Sequence, residues 1–127
     1  MKIIVSSNFY FNDANFINYL HNTFGESFDT ESITEIDCSG CNICSLKGIE
    51  VFSNLRKLLC NNNQITDHDL TSLHKLEELQ CNNSQLSGLD LRLSFNLQLI
   101  CCRDNNIKDV GNILLPPNYS GLQPIWQ

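Results

Sequence analysis

Apolar and polar positions recur through the middle of the chain at a fixed spacing. Four segments align: ITEIDCSGCNI from Ile33, LRKLLCNNNQI from Leu55, LEELQCNNSQL from Leu76 and LQLICCRDNNI from Leu97. Their starts lie 22, 21 and 21 residues apart. All four carry an aliphatic residue at the first, fourth and eleventh positions and cysteine at the sixth. Such a period marks stacked units, none of which buries its apolar face alone. The fourth and sixth positions are two apart, so they point to one face of a short strand. That face is Ile36/Cys38, Leu58/Cys60, Leu79/Cys81 and Ile100/Cys102. Stacking pairs these strands in parallel and buries the face as one column, with cysteine acting as a small, polarisable hydrophobe.

The ninth position holds Cys41, Asn63, Ser84 and Asn105. Here the chain turns off the strand and leaves backbone N–H and C=O groups to be satisfied. A short polar side chain does this, asparagine best because it both donates and accepts. The return paths between strands differ. Leu46, Ile49, Phe52 and Leu55 fall at intervals of three, as do Leu70, Leu73 and Leu76, which suits tight 3₁₀-like turns. Leu89-Asp90-Leu91 alternates and predicts an extended piece. After Ile107 the period stops at LLPPNYSGLQPIWQ, where Pro116, Pro117 and Pro124 forbid helix. We read this tail as a cap, with Tyr119 and Trp126 covering the last open core.

The first residues do not repeat. NDANFINYLHNTFG predicts a helix capped by Asn12 or Asp13 and closed before Gly25. Phe16, Ile17, Leu20 and Phe24 share one face of it. An end unit needs such a cover, and a strand from IIVSS would complete it. The expected organisation is one domain over 1–127: an N-terminal cap at 1–32, four repeats at 33–110 and a C-terminal cap at 111–127. The fold class is α/β, a short solenoid with a concave parallel sheet.

The shared spacing is L-x-x-L-x-C-x-x-(N/C/S)-x-L, the leucine-rich-repeat pattern. The stretch NICSLKGIEVFSNLRKLLCNNNQITD, Asn42 to Asp67, resembles the short bacterial repeats of the internalin type. Ile43, Leu46, Gly48, Ile49, Glu50, Asn54, Leu55, Leu58, Asn63 and Ile65 carry the match. The unit from Leu86 to Ile107 looks closer to the L-x-x-L-D-L repeats with a strand cysteine found in other bacterial proteins. The resemblance covers about residues 12 to 110. It implies a solenoid with a helical N-terminal cap. Surface internalins also have a signal peptide, more repeats and a wall anchor, none of which is read in this sequence.

Composition narrows the partners. Formal net charge is −6, from 8 Lys and Arg against 14 Asp and Glu. Nucleic acid and anionic membrane both want a basic surface, so neither is expected as a partner. A basic protein is the better match. MKIIVSSNFYF lacks the apolar run of a secretory signal, and no stretch suits a membrane span. With an odd count of 7 cysteines, the expectation is free thiols in a reducing cytoplasm.

Candidate chemistry is sparse. CSGCNIC has ligand-like C-x-x-C spacing, but a structural zinc site needs four ligands, and the repeat register already employs Cys38 and Cys41. No metal and no cofactor is expected. Cys101 should be reachable beside Arg103, though a plain thiol is the simpler reading. His68 in TDHDL sits on a return path and reads as solvated loop. The expected activity is therefore not enzymatic but protein binding through the open strand face: Glu35, Asp37 and Ser39; Lys57, Leu59 and Asn61; Glu78, Gln80 and Asn82; Leu99, Cys101 and Arg103. An apolar centre of Leu59, Leu99 and Cys101 inside a charged rim is what a binding face looks like. An immunity protein that blocks a bacterial toxin is one version of this function, and an effector that binds a host protein is another.

Overall fold

A computed structural model of the protein describes every residue except 6–9, 67, 122 and 127. Strand β1 (Lys2–Ile4), helix α1 (Ala14–Phe24) and strand β2 (Ser27–Asp29) come first. The repeats contribute β3 (Glu35–Asp37), β4 (Lys57–Leu59), β5 (Glu78–Gln80) and β7 (Leu99–Cys101). On the opposite side lie β6 (Leu89–Asp90) and β8 (Ile113–Leu114). The four repeat strands form one parallel sheet in chain order, with Ile36, Leu58, Leu79 and Ile100 in register. These four and Cys38, Cys60, Cys81 and Cys102 are all buried, as the two-residue spacing requires. The return path after Gly48 makes a 3₁₀ turn at Ile49–Val51, and β6 pairs in parallel with β8.

Corners between strand and return depend on polar side chains. Asn63 Oδ1 accepts from the N–H groups of Cys41 (3.2 Å) and Ile43 (2.9 Å) in the preceding repeat. Its Nδ2 donates to the carbonyls of Cys38, Cys60 and Asn61. Asn105 repeats the arrangement on Ser84 and Leu86, and on Cys81, Cys102 and Arg103. Serine at the same position does less: Ser84 Oγ donates to the Cys60 carbonyl at 2.6 Å, and Ile65 N–H turns instead to the Ser84 backbone carbonyl. Cys41 Sγ reaches only the Ser39 carbonyl, at 3.5 Å.

Drawing two N–H groups, one residue apart, onto one oxygen fixes the residue between them. Asn42 (φ 57°) and Gln85 (φ 62°) are both left-handed, whereas Gln64, whose neighbours face serine, is not among the positive-φ residues. The eighth position is left-handed in all four repeats, as Gly40, Asn62, Asn83 and Asp104. These are the residue types that tolerate that region best.

Caps close both ends. Asp13 is the N-cap of α1, with Oδ1 accepting from Asn15 and Phe16 N–H. Its Oδ2 accepts from Cys44 and Ser45 N–H, at 2.7 and 3.0 Å, and so ties the helix to the first repeat. Phe11, Phe16, Tyr19, Phe24, Phe28 and Phe52 form a continuous chain of ring contacts over the first core layer. Gly48 (φ 102°) passes so close to this cluster that a Cβ there would lie 2.8 Å from the Tyr10 carbonyl oxygen. At the other end Ile125 stands in for a fifth strand: its carbonyl accepts from Cys102 N–H at 2.7 Å and its N–H donates to Ile100. Tyr119 and Trp126 are half-buried against the last layer, consistent with their expected covering role.

Burial draws the Asp13 carboxyl upward, but its four backbone N–H partners outweigh that and hold it below the ordinary carboxylate value. A depressed folded value stabilises above the unfolded value, about 3.9, and the gain is lost as pH falls through the folded value. Urea unfolding from pH 5 downward should therefore show the wild type losing stability faster than Asp13→Asn, with the curves converging at the acid end. Parallel curves would remove Asp13 from the account.

Candidate functional site

The side of the parallel sheet that faces away from the core carries three rows of side chains. Register places Glu35, Lys57, Glu78 and Leu99 across the first row, and Asp37, Leu59, Gln80 and Cys101 across the second. Ser39, Asn61, Asn82 and Arg103 follow each strand and make the third. Strands stand about 4.8 Å apart, so each row spans roughly 14 Å.

Charge is unevenly distributed along the rows. Glu35 and Asp37 are exposed, and among the described residues neither makes an ion pair. In the middle Lys57 Nζ lies 3.8 Å from Glu78 Oε2, which also accepts from Gln80 Nε2 at 2.8 Å. Arg103 is exposed at the far end. Leu99 and Cys101 sit side by side on β7, both half-buried, while Leu59 is separated from them by Gln80 on β5. The apolar centre expected from sequence is thus one pair and one detached leucine. Asn61 and Asn82 have a second occupation: their Oδ1 atoms accept from the N–H groups of Asn82 and Arg103, each at 2.8 Å. Ser39 Oγ likewise accepts from Asn61 N–H.

Burial pushes the Cys101 thiol up and Glu78 adds to the rise; Arg103 pulls the other way without reversing it. Burial and Glu78 therefore favour the protonated Cys101 thiol. Burial also raises the core column, Cys102 to about 11, and holds Cys60 and Cys81 well above the ordinary thiol value. Asp69 of TDHDL is held low chiefly by the Thr71 hydroxyl and N–H, and Asp67 lies outside the described residues. Among the described residues no three His, Cys, Asp or Glu side chains gather as a metal site. No helix among them is long and apolar enough to cross a membrane. The three cysteines of CSGCNIC separate: Cys38 is buried, Cys41 half-buried and Cys44 exposed. Cys44 serves through its backbone, donating to Asp13 and accepting from Thr66.

The parallel sheet, polar corner ladder and helical cap define an internalin-like leucine-rich-repeat protein. Two solved structures from Listeria monocytogenes share the architecture. The functional domain of InlJ, which includes a cysteine ladder, aligns at TM-score 0.79 and 25% identity over 99% of this chain. The internalin InlF aligns at TM-score 0.71 and 22% identity over 97% of it. This chain spans 30% of the first protein and 41% of the second. No protein-family model and no curated protein matches the sequence.

Thiol labelling checks the placement of the cysteines. In the native protein at mildly alkaline pH, Cys44 should react first and Cys41 and Cys101 slowly. Cys38, Cys60, Cys81 and Cys102 should label only with unfolding. Labelling of any of these four faster than global unfolding contradicts a closed column.

Proposed function

We propose that the protein is a non-catalytic protein-interaction module that seats a basic segment of a partner on its concave face. The observation that carries this reading is the exposed pair Glu35 and Asp37, ion-paired to nothing among the described residues, beside half-buried side chains that extend across to Leu99 and Cys101. Two carboxylates with no ion pair among the described residues, on adjacent positions of one strand face, attract a cation and raise the association rate. Leu99 and Cys101 supply apolar area that a partner would remove from water. Glu78 is already matched by Lys57 and contributes less to steering.

The net charge of −6 favours one version of this function, neutralisation of a basic bacterial toxin as a cytoplasmic immunity protein. The product of the gene beside this one is then the first partner to test. Glu35→Lys with Asp37→Lys should weaken binding of that partner, or of one recovered from the native organism, by roughly a hundred-fold. Thermal stability should barely change, because both side chains are exposed. Unchanged affinity would take the interface away from this face, and a neighbouring product that does not bind would remove the immunity reading while leaving the module reading standing.

A further inference from the structure

The third return path inverts the pattern of the two before it. Counting back from the buried leucines Leu55, Leu76 and Leu97, the equivalent inward residues are Phe52, Leu73 and Ser94, all buried. The residues flanking them are Val51 and Ser53, then Ser72 and His74, then Leu93 and Phe95. In the third path the polar residue is inside and the large apolar ones are outside. Ser94 is accommodated by donating its hydroxyl to the Leu73 carbonyl at 2.7 Å. Leu93 is 45% exposed and Phe95 64%. Exchanging them with the serine would serve folding better, since a buried phenylalanine is worth about 2 kcal/mol. Folding does not explain the inversion, and an exposed apolar pair of this kind marks an interaction surface.

Phe95 stands between two grooves. One, about 560 Å³, includes Arg56, Lys75 and Glu77 in its walls. The other, about 340 Å³, includes Asp90, Arg92, Leu93 and Pro117. Arg56 is engaged by Glu77 at 3.6 Å and Arg92 by Asp90 at 2.8 Å. Among the described residues Lys75 has only the neutral Asn54 Oδ1, at 2.7 Å. These walls hold three of the chain's eight cations and two of its fourteen carboxylates. The flank is positive where the protein as a whole is acidic.

We infer that this flank is a second docking surface, adjoining the concave face, and that its occupant is a partner segment presenting an apolar side chain next to a carboxylate. The apolar side chain would pack on Phe95 and Leu93, and the carboxylate would pair with Lys75. This polarity is opposite to that of Glu35 and Asp37, so the two surfaces select different segments.

Panning a random peptide library on the whole chain tests this directly. Wild type should enrich peptides that carry an aromatic or aliphatic residue beside Asp or Glu. Their affinity should fall roughly ten-fold or more in Leu93→Ser/Phe95→Ser, which restores the polarity of the earlier repeats at exposed positions. Lys75→Glu should produce a similar loss, and Glu35→Lys/Asp37→Lys none. Failure to enrich peptides of this class, or enriched peptides of this class that bind Leu93→Ser/Phe95→Ser as well as wild type, would overturn the inference. So would a wild-type dimer in sedimentation that dissociates on Phe95→Ser, because a second copy would then cover the flank. Partner affinity left unchanged by Glu35→Lys/Asp37→Lys would overturn the concave-face reading of the proposed function and leave this inference intact.

Discussion

Every repeat must satisfy the backbone groups stranded where a buried strand turns into its return path. An unpaired amide in that position costs about 1–3 kcal/mol. Asn63 and Asn105 answer with five hydrogen bonds each, two accepted from the repeat before and three donated across the corner. The requirement propagates. It puts Asn42 and Gln85 in the left-handed region. Where serine or cysteine stands instead, backbone carbonyls and shorter side chains take over part of the role.

With corners and core fixed in this way, the outward positions are free to vary, and they do. The concave face runs from the two exposed acids Glu35 and Asp37 through a neutralised middle to Arg103. The flank around Phe95 has the opposite sign and an apolar knob. The column of cysteines packs as small apolar side chains, and burial holds its thiols well above their ordinary value. What distinguishes this chain from a generic solenoid is therefore carried by side chains that contribute little to its folding.

Much of the fold was legible because the four-and-six spacing and the period of about 21 constrain each other. The parallel sheet and the cysteine column follow from it, while the helix with its cap and the extended piece at Leu89 were legible from their own local patterns. The corner asparagines were legible as satisfiers of the backbone, though not their reach into the preceding repeat. Gly40, Asn62, Asn83 and Asp104 carried a readable signal for a left-handed position that the repeat consensus alone did not expose. Other features had no local signal. Asp13 caps a helix and also holds Cys44 and Ser45, 31 and 32 residues away, and nothing in the capping motif announces the second role. Ile125 replaces a strand with a single residue. The inversion at Ser94 becomes visible only once burial shows which of three adjacent residues points inward. Of the concave residues, the sequence located all in their rows but could not show that Leu59 stands apart from Leu99, or that Asn61 and Asn82 also brace their neighbours.

The central claim is that the corner asparagine, rather than apolar burial alone, sets the geometry of the stack. Urea unfolding of Asn63→Ala, combined with native-state hydrogen exchange at the Cys41 and Ile43 amides, tests it most directly. The account predicts a loss of about 3 kcal/mol or more and exchange at those two amides that no longer awaits global unfolding. A loss below about 1 kcal/mol, with both amides still protected, would contradict it.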